Sequence, residues 1–267
     1  MIRLSYMITG RLASFRPASR LREALVWLRD TGYQGVELNL SEPPGVDPDE
    51  LAGWLQDLGL AIPAFLTGEA YSEGLCLCSP DPQVRERTVA RLTAYLDTAR
   101  RFRALLVVGL LQGLCRDEPD EGVAQERIAA GLRAVAAAAE GRDVTLVVEP
   151  VNHLQVGFNH TVAEVRRLIA RVGSTALRPM VDTLHLNIEE TSLVGPIRAL
   201  GTHLRHVHLC ESNGAAFGSG HVDFRAVWQA LEEAGYDGFA SVKVYRRATL
   251  AEGARSALQH LRDLGLR

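Results

Sequence analysis

The sequence predicts a closed (β/α)8 barrel, and three observations lead to that prediction. Eight short apolar runs rich in Val, Ile and Leu alternate with longer segments in which apolar residues recur every three or four positions. Eight strand and helix units in about 250 residues match the size and order of such a barrel. No linker and no shift in composition divides the chain, so residues 1–267 are predicted to form a single domain.

The eight apolar runs give the strands in order, and helices fill the intervals between them. The strands are expected at residues 2–8, 35–40, 61–67, 104–111, 144–150, 178–183, 204–210 and 239–245. The helices are expected at residues 18–32, 47–59, 81–102, 121–141, 161–173, 222–235 and 248–265. Several helices begin with Ser, Thr or Asp and end with Gly, as capped helices do. Residues 67–80 and 211–221 form two conspicuous loops where strands end, which is the side that carries the active site of a barrel.

Composition and charge narrow the class of function. The net charge is −3 and the basic residues are scattered, so neither nucleic acid nor a membrane surface is an expected partner. The first residues lack a basic leader with a long apolar region, and no run approaches the ~20 apolar residues of a membrane helix, so a cytoplasmic protein is expected. The first strand is not followed by GxGxxG, and GxxxxGK[ST] does not occur, which argues against dinucleotide and nucleotide chemistry.

The cysteine pattern gives no strong signal. Cys76, Cys78, Cys115 and Cys210 form neither a disulfide framework nor a paired CxxC zinc pattern. Cys76 and Cys78 have the spacing of two residues on one face of an extended segment. All four are interpreted as ordinary thiols, with metal or redox use as the alternative.

Polar side chains near the carboxyl ends of apolar strands are the most informative positions. They are Glu149, Asp182, His208 and Lys243, on the fifth to eighth predicted strands. One such residue commonly only caps a loop, but four of them converge on one rim when the strands close into a barrel. Two carboxylates and an imidazole suit a divalent cation such as Mn²⁺, Co²⁺, Mg²⁺ or Zn²⁺, with open positions for substrate oxygens. His206 shares the strand face of His208 and is interpreted as a satisfied core histidine, with ligand orientation as the alternative.

Several motifs resemble one family along the whole chain. They are GYQGVEL, VVEPVNHLQ, MVDTLHLNIEE, HVHLCESN, GSGHVDF and AGYDGFASV. Together they are similar to the xylose-isomerase-like TIM barrels, in particular to the branch of sugar isomerases and epimerases that contains D-tagatose 3-epimerase, L-ribulose-5-phosphate 3-epimerase and hydroxypyruvate isomerase. The second half of the chain carries the more specific motifs.

The resemblance implies a set of roles for the site residues. It implies that Glu149, Asp182 and His208 bind a divalent metal and that Glu149 is also an acid/base carboxylate. It further implies that His185 contacts substrate oxygens, and it places Gln155 and Glu211 in the substrate site. In such enzymes a proton leaves the carbon next to a carbonyl, and a second carboxylate returns it to the other face or to the neighbouring carbon.

The chain departs from the family pattern at three positions. Lys243, the only lysine of the chain, stands where the second catalytic glutamate is expected, Gln155 replaces an acid, and Gly214 replaces an arginine. Glu149, Asp182 and a protonated Lys243 sum to −1, the same charge as three carboxylates with a dication. A protonated lysine ~5 Å from a dication would be repelled by about 7 kcal/mol at an effective dielectric of about 20. The metal site is therefore expected to be weakened, or replaced by pairing of Lys243 with Glu149 and Asp182.

The predicted function is that of a metal-assisted isomerase or epimerase acting on a small sugar-like carbonyl compound, phosphorylated or not. Glu149 and Lys243 are the predicted catalytic residues, and a neutral Lys243 would serve as a base. A Schiff base at Lys243 is also conceivable. The alternatives are a dehydratase or lyase acting on a keto-sugar or keto-cyclitol, and a non-catalytic sugar-binding relative. DNA repair endonuclease chemistry is disfavoured because it would require a multi-metal ligand set and a basic groove, whereas the pI of the sequence is about 6.3. A homo-oligomer is possible.

Overall fold

The computed structural model describes residues 1–10, 12–42, 44–246 and 248–266. Within these residues the strands are β1 (Arg3–Met7), β2 (Gly35–Asn39), β3 (Ala64–Leu66), β4 (Leu105–Val108), β5 (Leu146–Val148), β6 (Leu177–Asp182), β7 (His206–Cys210) and β8 (Phe239–Lys243). Each strand pairs in parallel with the next, and β8 pairs in parallel with β1, so the sheet closes. The predicted eight-stranded barrel is confirmed.

Helices connect the strands. In the described part of the chain they are α1 (Ser19–Thr31), α2 (Pro48–Leu58), α3 (Glu69–Ser72), α4 (Pro82–Phe102), α5 (Glu121–Glu140), α6 (Val162–Val172), α7 (Thr183–Glu189), α8 (Gly195–Leu200), α9 (Phe224–Glu233) and α10 (Leu250–Asp263). All seven predicted helices are present, each inside its predicted range. Short 3-10 turns lie at Leu12–Ser14, Leu110–Gln112 and Gly201–His203.

Local capping chemistry explains where the long helices begin. The side chain of Asp47 accepts hydrogen bonds from two backbone N–H groups at the start of α2, and Thr161 and Glu164 form a capping box at the start of α6. Gly32, Gly59 and Gly173 then end α1, α2 and α6 in the left-handed conformation. These residues fix the helix boundaries that the sequence pattern predicts.

Several strands are shorter than predicted, and the short helix α3 lies in the predicted loop 67–80. The structure differs from the sequence-based prediction in two further places. No helix range was predicted between β6 and β7, but α7 (Thr183–Glu189) and α8 (Gly195–Leu200) lie there. Both helices are too short to show a repeating apolar face, and Asp182, the last residue of β6, caps α7 directly. The strand predicted at 104–111 ends at Val108, because the chain turns at Gly109 into the 3-10 turn Leu110–Gln112.

The alternation of side chains along the strands divides the barrel interior into two layers. Ala64, Val107, Val147 and Met180 form a small apolar cluster. Two residues further toward the carboxyl ends, the chain after β5 reaches Glu149 and β6 reaches Asp182, and Asp182 is in register with His208. The barrel therefore delivers ionisable groups to the rim, beyond this small apolar cluster.

Two further sequence-based expectations concern membranes and thiols. In the described ranges, no helix combines the length and apolar character that crossing a bilayer would require. Cys76, Cys78 and Cys210 are buried, Cys115 is exposed, and all four thiols are free.

Candidate active site

A cavity of about 380 Å³ opens at the carboxyl ends of the strands. Glu149, His185, His208 and Lys243 line it, all of them predicted site residues. Apolar side chains, including those of Leu66, Leu110 and Val151, form much of the remaining wall. A small cavity with a few convergent ionisable groups and apolar walls is typical of a small-molecule site.

Two of these polar groups, Glu149 and His208, form a compact donor set with Asp182. The Nδ1 atom of His208 lies 3.0 Å from Oε1 of Glu149 and 3.8 Å from Oδ2 of Asp182. One ligand atom from each of Glu149, Asp182 and His208 lies within 4.8 Å of the other two. Mixed oxygen and nitrogen donors at this separation can share one divalent cation.

Gly109 makes room for the Glu149 carboxylate. A Cβ atom at position 109 would lie 2.7 Å from Oε2 of Glu149 and 3.2 Å from Val151. Any larger residue at this position would therefore push the carboxylate away from its present place.

Glu37 supports His208 from the side opposite the cavity. Its two carboxylate oxygens lie 2.6 Å from Nε2 of His206 and 3.1 Å from Nε2 of His208. Burial opposes the charge of Glu37, but the two imidazoles outweigh it and lower the pKa of Glu37 to about 2. Burial likewise opposes the charge of His208, but Glu37 and Glu149 raise the pKa of His208 to about 10. His206 is thus a buried histidine with a satisfied ring nitrogen.

The arrangement of His208 suits a metal ligand. Its Nε2 atom faces the Glu37 carboxylate, while Nδ1 faces the two carboxylates of the donor set. A ligating histidine that donates its other N–H to a carboxylate is the usual way in which proteins fix the orientation of the ring. Glu37 was missed in the sequence analysis, although a carboxylate inside the apolar strand GVELN was a usable signal.

Lys243 reaches into the same cavity, as expected from its strand face. Its Nζ atom donates to Oδ2 of Asp182 at 2.7 Å, and 14% of its side chain is exposed. Burial disfavours the ammonium, but Asp182 and then Glu149 outweigh burial and raise the pKa of Lys243 above its ordinary value. Burial also opposes the charge of Asp182, but Lys243 holds the pKa of that carboxyl well below its usual range.

The donor set therefore fits a divalent cation, with Lys243 as a competitor for one ligand. Glu149, Asp182 and His208 have suitable atoms at suitable separations, and Glu37 orients the imidazole. The ammonium of Lys243 donates a hydrogen bond to Oδ2 of Asp182, the same oxygen that lies 3.8 Å from Nδ1 of His208. A divalent cation bound here would be repelled by the ammonium of Lys243, a positive charge that a site made of three carboxylates does not contain.

His185 presents one defined tautomer to the cavity. The Asn152 side chain accepts from the Leu154 N–H through Oδ1, which leaves its amide nitrogen to donate to Nδ1 of His185 at 2.7 Å. The ring proton of neutral His185 then lies on Nε2, which is 3.8 Å from Glu149 and 3.9 Å from Asp182. Burial lowers the pKa of His185, so the ring is neutral at neutral pH. Asn152 was missed in the sequence analysis.

Of the two further substrate-contacting candidates, the structure brings only one to the cavity. Gln155 lines it. Glu211 does not: its buried carboxylate accepts hydrogen bonds from the backbone N–H groups of Ser212, Gly218 and Val222. The placement of Glu211 in the substrate site is therefore corrected, because the loop that follows β7 uses this carboxylate as its internal anchor.

Comparison with known proteins agrees with the fold of this chain. The xylose isomerase-like TIM barrel family matches residues 25–264. The L-ribulose 3-epimerase of Mesorhizobium japonicum is 32% identical over 223 residues, which are 82% of this chain and 73% of that relative. A ketose 3-epimerase of Arthrobacter globiformis is 29% identical over 83% of this chain and 76% of its own length. A solved L-ribulose 3-epimerase superposes with a TM-score of 0.86 at 27% identity, covering 100% of this chain and 95% of that one.

This chain belongs to the xylose isomerase-like TIM barrel family. The match spans most of the chain, and the resemblance seen in its motifs is confirmed.

Replacing Glu37 by Gln tests the bridge between the two histidines. The variant keeps the volume but removes a buried charge that pairs with two imidazoles, so we expect a loss of about 2–4 kcal/mol in the free energy of unfolding. Urea denaturation near neutral pH measures it. The exposed Glu23→Gln variant is the control and should stay within about 0.5 kcal/mol of the wild type. Equal stability of Glu37→Gln and Glu23→Gln would contradict the bridge.

Replacing Glu211 by Gln tests the loop anchor through its pH dependence. Burial opposes the charge of Glu211, but the backbone N–H groups outweigh it and hold its pKa below the ordinary value of 4.5. The ionised side chain therefore stabilises the fold above that value, and the stabilisation fades as the pH falls further. We expect a loss of about 1–2 kcal/mol near neutral pH. Urea denaturation measures the difference in free energy of unfolding between Glu211→Gln and the wild type, and this difference should become smaller below about pH 4.5. A difference that does not depend on pH would show that the Glu211 carboxylate does not anchor the loop.

Proposed function

We propose that this protein is an epimerase of an unbranched ketose, which removes and returns the proton on the carbon next to the carbonyl. One observation carries the proposal: the carboxylate of Glu149 and the amine of Lys243 line one small cavity, and Glu149 and His208 of its lining form a divalent-cation donor set with Asp182. The named relatives support it, since they are L-ribulose 3-epimerase and ketose 3-epimerase. The expected proton is the one on the third carbon of the ketose.

A divalent cation would be held by Glu149, Asp182 and His208. When bound, it would supply positive charge against the carbonyl and hydroxyl oxygens of the substrate. Glu37 would keep the His208 ring in place from behind. Asp182 is the ligand that the cation must share with Lys243.

Glu149 is proposed as the group that takes the proton from one face of the carbon. Burial opposes its charge, but the hydrogen bond from His208 and the charge of Lys243 lower the pKa of Glu149. Its carboxylate is therefore ionised at neutral pH and can accept a proton. Gly109 keeps that carboxylate at the cavity wall.

Lys243 is proposed as the partner on the other side of the carbon. An ammonium with a raised pKa is charged at neutral pH, so it serves as the proton donor, and its neutral form accepts a proton in the reverse direction. The contact between Lys243 and Asp182 matches one of the two states expected from the sequence, in which the ammonium pairs with the site carboxylates. The Nε2–H of neutral His185 and the amide of Gln155 are then available to hold substrate oxygens.

Deuterium exchange tests the proton chemistry. The protein is incubated in D₂O with Mn²⁺ and a panel of pentuloses and hexuloses, free and phosphorylated, and label at the third carbon is read by NMR. We expect exchange and epimerisation with at least one ketose, and a fall of at least about 10²-fold in Glu149→Gln because the proton acceptor is lost. The surface variant Glu23→Gln should keep the wild-type rate.

Three results would reject the proposal. Binding of a ketose without exchange would favour a non-catalytic sugar-binding protein. Loss of a hydroxyl from the substrate would identify a dehydratase or lyase. Exchange that survives in Glu149→Gln would show that another group takes the proton.

Competition between Lys243 and the cation is tested by a matched pair of variants. Lys243→Met removes the charge but keeps an unbranched chain, whereas Lys243→Arg keeps the charge. We expect Mn²⁺ affinity, measured by electron paramagnetic resonance of free Mn²⁺, to rise by about tenfold or more in Lys243→Met and to stay low in Lys243→Arg. Equal affinity in wild type and both variants would show that Lys243 does not affect the site.

A further inference from the structure

A second group of metal-ligating side chains lies outside the cavity described above. It consists of Cys76, Cys78 and Asp117, and we refer to it as the dithiol cluster. None of the three lines the active-site cavity. The two sulfur atoms are 3.3 Å apart, and Sγ of Cys76 lies 3.9 Å from Oδ2 of Asp117.

The backbone around the dithiol cluster is shaped to hold the two sulfur atoms. Gly113 has a φ of 96°, and a Cβ atom there would lie 2.4 Å from the sulfur of Cys76 and 2.5 Å from that of Cys78. Only glycine therefore fits at this position, on both conformational and steric grounds. The N–H of Leu77, between the cysteines, donates to the Leu111 carbonyl and fixes the segment against the turn after β4.

The carboxylate of the dithiol cluster is held in place by two donors. The Tyr71 hydroxyl and the Leu114 N–H each donate to Oδ2 of Asp117 at 2.8 Å. A carboxylate that is itself hydrogen-bonded is typical of a metal ligand, because the outer partners fix its direction. Cys76 and Asp117 also line a surface cavity, so this side of the cluster is reached from solvent.

We propose that Cys76, Cys78 and Asp117 bind one thiophilic divalent cation of the Zn²⁺ class. In tetrahedral coordination with Zn–S near 2.3 Å and Zn–O near 2.1 Å, ligand atoms lie about 3.6–3.8 Å apart. The observed separations of 3.3 and 3.9 Å differ from this by a few tenths of an ångström. Three protein ligands beside a solvent-facing cavity leave the fourth position to water.

Binding requires the two thiols to release their protons to solvent, so two protons leave for each cation bound. The hydrogen bond from Cys78 lowers the pKa of Cys76, which favours the first release. The same hydrogen bond and burial raise the pKa of Cys78, so the cation itself must displace the second proton. Asp117 distinguishes this site from a simple redox pair. A carboxylate beside a thiolate repels it, but both attract the same cation.

Cobalt binding to the reduced full-length protein tests the proposal, because only a sulfur ligand gives the near-ultraviolet thiolate-to-Co²⁺ charge-transfer band. This band separates the dithiol cluster from the oxygen and nitrogen ligands of the active site. We expect Co²⁺ added in excess of the active-site donor set to produce the band with the intensity of one sulfur-bound Co²⁺ per chain, and Zn²⁺ to remove it. The Cys115→Ser variant, which alters an exposed thiol outside the cluster, should behave as the wild type does.

Substitutions of the three residues of the dithiol cluster give the remaining expected outcomes. Cys76→Ser and Cys78→Ser should each bind Co²⁺ at sulfur at least about tenfold more weakly, and so should Asp117→Asn, which keeps the shape of the carboxylate. No band in the reduced wild type, or an unchanged band in these variants, would overturn the proposal. A protein that gives no cobalt band, and that loses two thiols and about 2 Da of mass on mild peroxide treatment, would also overturn the proposal. The two cysteines would then be a redox pair.

Discussion

Charge balance inside one small cavity governs this site. Closure of the barrel places the carboxylates of Glu149 and Asp182, the imidazole of His208 and the amine of Lys243 beside one another, largely away from water. Because buried charges are tolerated only when they are paired, each of these groups constrains the protonation of the others. The ammonium of Lys243 places a positive charge beside Asp182, so the proposed proton transfer and the proposed metal affinity both depend on this one group.

The fold was predictable from sequence because its signals are local. Alternating strand and helix periodicities, Asp and Thr caps and terminal glycines each act over a few residues, and all seven long helices and all eight strands were found from them. The short helices α7 and α8 were missed because six or seven residues carry no clear period. The turn at Leu110–Gln112 was predicted as the end of a strand, because its leucines continue the apolar run of that strand.

The site residues at strand ends were also predictable from the sequence, whereas the residues that hold them in position were not. Glu149, Asp182, His208 and Lys243 interrupt apolar strands, and topology alone brings such positions together. Glu37 acts through a histidine that lies 171 residues away in sequence, and Asn152 acts by selecting a tautomer, so neither role leaves a local pattern. Glu211 failed as a substrate contact because backbone N–H groups of its own loop satisfy its carboxylate.

The single lysine of the chain offers the most direct test of the competition for Asp182. With ¹⁵N-labelled lysine, the NMR spectrum contains one side-chain Nζ signal, from Lys243. The account predicts a charged amine that does not lose its proton at the pH at which free lysine does, and a signal that shifts when diamagnetic Zn²⁺ or Mg²⁺ is added. A signal with ordinary solvent-exposed titration and no response to either cation would contradict the account.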